Sequence, residues 1–313
     1  MKQTNLEVKI GKLRLKNPMM VASGTFGYAE EFKDFIDLRQ LGAIVTKTIT
    51  LAPRQGNPMP RTCETPAGML NSIGLENPGI DKFIAEKLPA LKKIGAPVIV
   101  SIASEDDPQE FTALARRLDK LKEVAGIELN ISCPNIRGTT SPRHHVTRLI
   151  AQDAKAADEV VRAVRKVTKK TLITKLSPNV TDITEIALAA EKAGTDAVSL
   201  VNTFTAMSIN VETRKPKIAL AVAGLSGPAI RPIALRMVWE VYQKISVPII
   251  GMGGIMDTSS ALEFFLAGAS CVSVGTANFI NPRATIEIIA GIKQYLRENK
   301  IKDIKALIGN LNI

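Results

Sequence analysis

Eight short, unbroken aliphatic runs punctuate this chain, and most are followed by a segment of helical periodicity. The runs are Met19–Ala22, Ala43–Thr46, Val98–Ser101, Ile127–Ile131, Leu172–Lys175, Ala197–Val201, Pro248–Gly251 and Cys271–Val274. They are rich in β-branched residues and lack polar alternation, as expected of strands buried on both faces. Between them lie amphipathic stretches. Asp107–Lys122 opens on an Asp-Pro cap signal, Asp182–Ala193 stops at Gly194 and Thr258–Ala267 stops at Gly268; Asp153–Val167, Ile230–Lys244 and Ala284–Arg297 complete the set. Alternating β and α segments with eight strands predict a parallel (β/α)8 TIM barrel, with a doubly wound open sheet as the competing α/β arrangement. Leu6–Ile10 and Leu13–Leu15, joined at Gly11, read as a small N-terminal hairpin closing the barrel bottom. Residues 1–313 show no internal repeat or linker and are expected to form one domain. The connections Thr48–Lys93 and Asn202–Gly227 are unusually long, and long connections in compact domains tend to be functional.

Composition narrows the setting. Aromatic residues are 4% of the chain, so the core has to be aliphatic. The net charge of +11 admits an anionic ligand or an acidic partner, although a lysine-rich solvated surface accounts for it as well. One Trp and three Tyr leave no basic-aromatic interleaving of the kind that stacks bases, so nucleic acid is not an expected partner. Three cysteines, Cys63, Cys133 and Cys271, are too few for the four ligands of an ordinary iron–sulfur cluster and too sparse for a disulfide scaffold. The N-terminal residues lack an apolar signal core, and no run approaches the roughly 20 apolar residues of a membrane span. The expected location is the cytoplasm, with no membrane association.

Barrel enzymes place their chemistry just beyond the C-terminal ends of the strands. Those positions hold Ser23-Gly24-Thr25, Lys47-Thr48, Ser101, Asn130 with Ser132, Cys133 and Asn135, Lys175, Asn202-Thr203, Gly251 with Gly253-Gly254, and Gly275-Thr276; the long second connection adds Asn71-Ser72-Ile73-Gly74. Glycine-rich turns after strands seven and eight, each leading to a helix, suit a phosphate cradle, the alternative being that they only make tight turns. Asn71, Asn130, Asn135 and Asn202 offer paired donors and acceptors for a flat ring edged with carbonyl and N–H groups. Lys47 and Lys175 bring positive charge into the mouth, which is costly on a buried strand unless an anion is present. Cys133 is the one plausible acid, base or nucleophile of the set, since a thiol can be tuned to work near neutral pH. His144 and His145 read as loop residues, and Cys63 and Cys271 as loop and core. No metal-ligand pattern is evident, and no GxGxxG opens a helix after a strand.

The segments ASGTFGY (22–28), GAIVTKTIT (42–50), GNPMPR (56–61), ETPAGMLNSIGLENPG (64–79), ELNISCPN (128–135), KLSPNVTDI (175–183), LSGPAIRPIALRMV (225–238), IIGMGGI (249–255) and VGTANF (274–279) resemble dihydroorotate dehydrogenase, most closely its cytosolic, NAD-linked class. The resemblance covers nearly the whole chain. It implies oxidation of (S)-dihydroorotate to orotate in pyrimidine (UMP) biosynthesis, with FMN in this chain. Cys133 then matches the base that takes the proton from substrate C5, and Lys47 a residue contacting both flavin and substrate. Asn71, Ser72, Ile73, Gly74, Leu75, Asn130, Asn135, Asn202 and Thr203 match the orotate pocket. Ser23, Lys47, Thr48, Ser101, Asn130, Lys175, Val201, Gly227, Gly253, Gly254, Gly275 and Thr276 match the FMN pocket, with Lys175 near the flavin N1–C2 edge. The class also implies a partner subunit carrying FAD and a 2Fe-2S cluster, in a heterotetramer of two catalytic and two electron-transfer subunits. The quinone-using class has serine for the cysteine and a membrane-associating extension. Three departures stand out: Ser101 where asparagine is usual, the stretch 136–149 after the cysteine motif, and Ala221-Val222-Ala223 before Gly224. The nearest alternative is the fumarate-linked homodimeric enzyme, which needs no partner subunit.

Overall fold

A computed structural model describes residues 4–104, 108–132 and 150–312. Its centre is a closed barrel of eight parallel strands in chain order: Met19–Val21, Ala43–Val45, Val98–Ile102, Val124–Asn130, Thr171–Lys175, Ala197–Leu200, Ile249–Gly251 and Cys271–Val274. Strand eight closes on strand one through the pairs Val272–Met19, Ser273–Met20 and Val274–Val21. Nearly every strand residue is buried, because inward side chains fill the barrel and outward ones meet the helices. All eight expected strands are present. The fourth starts earlier than its aliphatic run, at Val124: the small Ala125 and Gly126 break the hydrophobic pattern, and the ladder to strand three skips Ala125 and resumes at Gly126. Pro248 has no N–H to give to a ladder and stays outside strand seven, yet its carbonyl accepts from Val198 N at 3.1 Å.

The surrounding helices begin and end where local chemistry directs. Asp153 accepts from the N–H groups of Lys155 and Ala156 ahead of Ala154–Arg165, and Asp182 accepts from Thr184 N ahead of Ile183–Ala193, which stops at Gly194 with φ 100°. Asp107, the expected cap of Pro108–Asp119, lies outside the described residues. At the bottom, the hairpin Val8–Ile10/Leu13–Leu15 turns at Gly11 against Asp196 and Thr171, and Lys12 N donates to Thr171 Oγ1 at 3.1 Å, so it covers the N-terminal end of strand five. The basic cluster of helix Ala154–Arg165 and the residues after it is partly structural. Arg165 pairs with Asp196 at 2.9 Å, and Lys170 donates to the carbonyls of Leu121 and Val124.

The two long connections meet each other. Strands Thr62–Thr65 and Gly68–Asn71 from the first pair with Ala223–Ser226 and Phe204–Ala206 from the second, forming a four-stranded antiparallel sheet. It registers Asn71 against both Thr62 and Gly224. Residues 79–94, at the end of the first long connection, are helical, with a π segment at Phe83–Lys87. Among the described residues no helix is long and apolar enough to cross a membrane.

Helix Thr258–Leu266 fixes the glycine turn that precedes it through a capping box: Asp257 accepts from Ser260 N at 2.8 Å and Ser260 Oγ accepts from Asp257 N at 3.0 Å. The Ser260 backbone N–H, then its hydroxyl, hold the Asp257 carboxyl below the ordinary aspartate range. A group whose folded pKa is lowered stabilises fully above its unfolded pKa, and that contribution is lost as pH falls through the folded value. Asp257→Ala is therefore expected to cost about 1 kcal/mol at neutral pH, and the gap to wild type should narrow in acid, as read by urea denaturation at two pH values.

Candidate active site

The floor of the cleft is a lysine that spans the barrel mouth. Lys175 ends strand five, and its Nζ donates to Ser23 Oγ at 3.1 Å, across the barrel after strand one. Lys175 is only 3% exposed. Beside it runs a chain of side-chain hydrogen bonds joining successive strand ends. Thr48 Oγ1 lies 3.0 Å from Ser101 Oγ and accepts from Asn130 Nδ2 at 3.1 Å. Asn130 Oδ1 accepts from Ser132 Oγ at 3.1 Å, and Asn202 Nδ2 donates to that hydroxyl at 2.9 Å. Asn202 Oδ1 accepts from Thr203 N at 2.9 Å, and Asn179 Nδ2 donates to Thr203 O at 3.0 Å. Each link orients an amide, so the polar edge offered to a ligand is set before anything binds.

The antiparallel sheet forms the opposite wall. Asn71, Thr62 and Met69 face the cleft together with Ile73, Gly74, Leu75 and Lys47. The segment Asn71–Leu75 is held from behind. Asn57 Nδ2 donates to Ser72 O at 3.1 Å and to Ser72 Oγ at 3.0 Å, and Arg54 Nε donates to Gly74 O at 3.3 Å. Gly74, at φ 73°, lies against the Asn57 side chain, where a Cβ would not fit. Lys47 Nζ sits beside Gly24 after strand one.

The third wall is the glycine cradle. The backbone N–H groups of Gly253, Gly254, Gly275 and Thr276 donate to no carbonyl among the described residues, which leaves a concave set of donors at the ends of strands seven and eight. Both turns lead into a helix as expected, at Thr258 and at Ala277. In the helix after strand seven the Ser260 amide is taken by Asp257, so the amides nearest the cleft there are those of the turn. The tight-turn reading holds for two of the glycines. Gly253 and Gly254 have φ 127° and 74°, and a Cβ on them would meet Ala234 at 2.8 Å and Arg231 at 2.7 Å. Gly275 differs, because a Cβ there would meet nothing closer than 3.7 Å. Its lack of a side chain leaves open space beside these amides. Amides with no partner among the described residues, an open glycine and a buried ammonium fit a phosphorylated cofactor that gains negative charge on reduction, such as FMN.

Of the other expected residues, Thr48, Val201, Asn202, Thr203, Asn130 and Gly227 line the same cleft. Ser101 and Ser72 do not reach it. Ser101 is fully buried behind Thr48, and Ser72 turns back to Asn57. Cys133, Asn135, His144, His145 and the stretch 136–149 lie outside the described residues. Ser132, just before Cys133 in sequence, is bonded to Asn130 and Asn202. Thr62, Met69, Ser226 and Phe279 also line the cleft without having been singled out from sequence. The first three arrive through the pairing of two distant connections; the two-residue turn Pro66-Ala67 between Thr65 and Gly68 signals only the local hairpin within the first of them. Asn179 was visible only within the segment KLSPNVTDI (175–183). Among the described residues no cluster of His, Cys, Asp and Glu could hold a metal ion. Burial pushes the Cys271 thiol up, as befits a core residue.

The cradle makes a paired prediction. Gly275→Ala should leave the unfolding midpoint unchanged or slightly raised yet weaken FMN binding about tenfold or more, measured by flavin fluorescence titration of apoprotein. Gly253→Ala should destabilise by about 1–3 kcal/mol through its backbone conformation.

Comparison with known proteins agrees with this geometry. The family model described as dihydroorotate dehydrogenase matches residues 5–296. A protein of Geotalea daltonii named dihydroorotate dehydrogenase B (NAD(+)), catalytic subunit, is 53% identical over 313 residues, covering 100% of both chains. Proteins of the same name from Geotalea uraniireducens and Thermoanaerobacter pseudethanolicus are 52% and 51% identical, each covering 99% of both chains. On the family model and these full-length relatives together, the chain belongs to the dihydroorotate dehydrogenase family.

Proposed function

We propose that this chain, as one catalytic domain over residues 1–313, oxidises (S)-dihydroorotate to orotate in pyrimidine synthesis with FMN in the described cleft. The observation that carries the reading is the meeting, in one cleft, of free amides at Gly253, Gly254, Gly275 and Thr276, the buried Lys175 and the amide ladder Asn130–Asn202. Bound FMN supplies the acceptor for a hydride from substrate C6. The chain's residues do the rest. The glycine amides and Thr276 hold the phosphate, while Ser23, Thr48, Val201 and Gly227 position the ring system, with Ser101 supporting Thr48 from behind. Lys175 offers positive charge where negative charge accumulates on reduction. Asn71, Ile73, Gly74, Leu75, Asn130, Asn202 and Thr203 read the carbonyl and N–H edges of the pyrimidine. Lys47 answers its carboxylate, and Ser72 holds its segment of the wall through Asn57.

Cys133 takes the C5 proton, and Asn135 lies two residues beyond it in the same motif. A thiol suits this step because its ordinary pKa near 8.5 comes within reach of neutral pH beside a cation. The relatives are named catalytic subunits of an NAD(+)-dependent enzyme. This supports delivery of the electrons to NAD+ through a separate cytoplasmic subunit carrying FAD and a 2Fe-2S cluster, in a heterotetramer, over a fumarate-linked homodimer.

The test is a visible spectrum of pure protein before and after anaerobic dihydroorotate. Bleaching of a flavin band is expected; a colourless protein, or a flavin that dihydroorotate leaves oxidised, contradicts the reading. Cys133→Ala should keep its FMN and bleach on the order of 10²–10⁴ times more slowly; bleaching at the native rate would move the base to another group. Co-expression with the partner gene should yield a complex containing FAD and iron.

A further inference from the structure

Among the described residues only two charge-bearing side chains are buried, Lys175 at 3% exposure and Glu128 at 2%. They are of opposite sign and sit on adjacent barrel strands. Glu128 is two residues before Asn130 on the same strand and so shares its inward face, and Asn130 is in register with Lys175. The Glu128 carboxylate crosses the inner face of the strand that carries Lys175. Its Oε2 accepts from Ser199 Oγ at 3.1 Å, on the strand beyond, where Ser199 is itself in register with Lys175. The carboxylate therefore lies in the layer directly beneath the lysine, inside a closed aliphatic barrel. Among the described residues neither group has a direct ionic partner. Lys175 makes no ion pair among the described residues, and Oε1 of Glu128 has no hydrogen-bond partner there at all.

A lone buried ion of either sign is costly, and one low-dielectric compartment couples opposite charges over more than contact distance. We propose that Glu128 is the internal counter-charge of Lys175, a positioning residue that holds the cleft floor cationic while tempering the field the cofactor feels. No residue role assigned above includes it, and the inference rests on the reading that a flavin occupies the cleft over Lys175. The carboxylate acts through space on the lysine, so removing its charge leaves the ammonium untempered and favours negative charge in the cleft.

The experiment is the two-electron midpoint potential of the bound flavin in wild type, Glu128→Gln and Ser199→Ala, measured by dye equilibration on holoenzyme. Glu128→Gln should favour the reduced flavin about tenfold, as one charge acting over about 10 Å at an effective dielectric near 20 would. A tenfold change is about 30 mV in the positive direction for a two-electron couple. Ser199→Ala keeps the charge and should stay within twofold of wild type. An unchanged or more negative potential in Glu128→Gln overturns the proposal, as does an equal shift in both variants, which would mark a packing effect. Should Glu128→Gln not fold, infrared spectroscopy of wild type labelled with carbon-13 glutamate decides. Carboxylate bands alone support an ionised Glu128, and a carbonyl band from a buried protonated acid overturns it. A wild-type protein that binds no flavin would instead refute the underlying assignment of the cleft.

Discussion

A closed parallel barrel has no free sheet edge and no solvent-facing sheet surface, so any polar side chain inside it must be answered by another or by a ligand. That constraint organises this molecule. Ile, Val, Leu, Met and Ala fill most of the interior, broken in mid-strand by Glu128 and Ser199, and at the strand ends polar groups gather: Thr48 with Ser101, Asn130 with Ser132 and Asn202, Lys175 with Ser23. Lys175 makes the demand most sharply, since a single neutral hydroxyl is poor compensation for a buried ammonium. The cleft above it is shaped to supply what is missing.

The roof follows from a second constraint. A barrel mouth alone is open to water, and chemistry on a hydride and an acidic carbon proceeds best away from it. The two long connections solve this by pairing with each other. The sheet they form carries Asn71 and Thr62 over the mouth, and Asn57 and Arg54 brace the backbone of Ser72 and Gly74 from outside. The same brace explains why Ser72, although inside a motif rich in cleft residues, faces away from the cleft.

Much of this was legible in the residues. The eight strands could be read because each is a short aliphatic run flanked by caps such as Asp153, Asp182 and Gly194, whose effects are local. Strand-end positions then brought Lys47, Asn130, Lys175 and Asn202 to one place by topology alone. Long-range pairing was not legible. Nothing local to Thr62 or Ser226 tells that residues far apart in sequence share a sheet, and nothing local to Ser101 tells that it backs Thr48 and leaves the cleft to it. The cradle was legible as glycine, but the division of labour was not. Gly253 and Gly254 serve the turn through their backbone angles, whereas Gly275 stands in open space. Glu128 was hidden for the opposite reason, as a charged residue in an aliphatic run whose partner Ser199 lies two strands away.

On the proposed reading, amides at the ends of strands seven and eight, without partners among the described residues, take the cofactor's phosphate while its ring lies over Lys175. Calorimetric titration of apoprotein with FMN and with riboflavin, which lacks only the phosphate, tests it most directly. Several charge-assisted hydrogen bonds to one phosphate should make FMN bind on the order of a hundredfold tighter or more. Equal affinities for the two flavins would contradict the account.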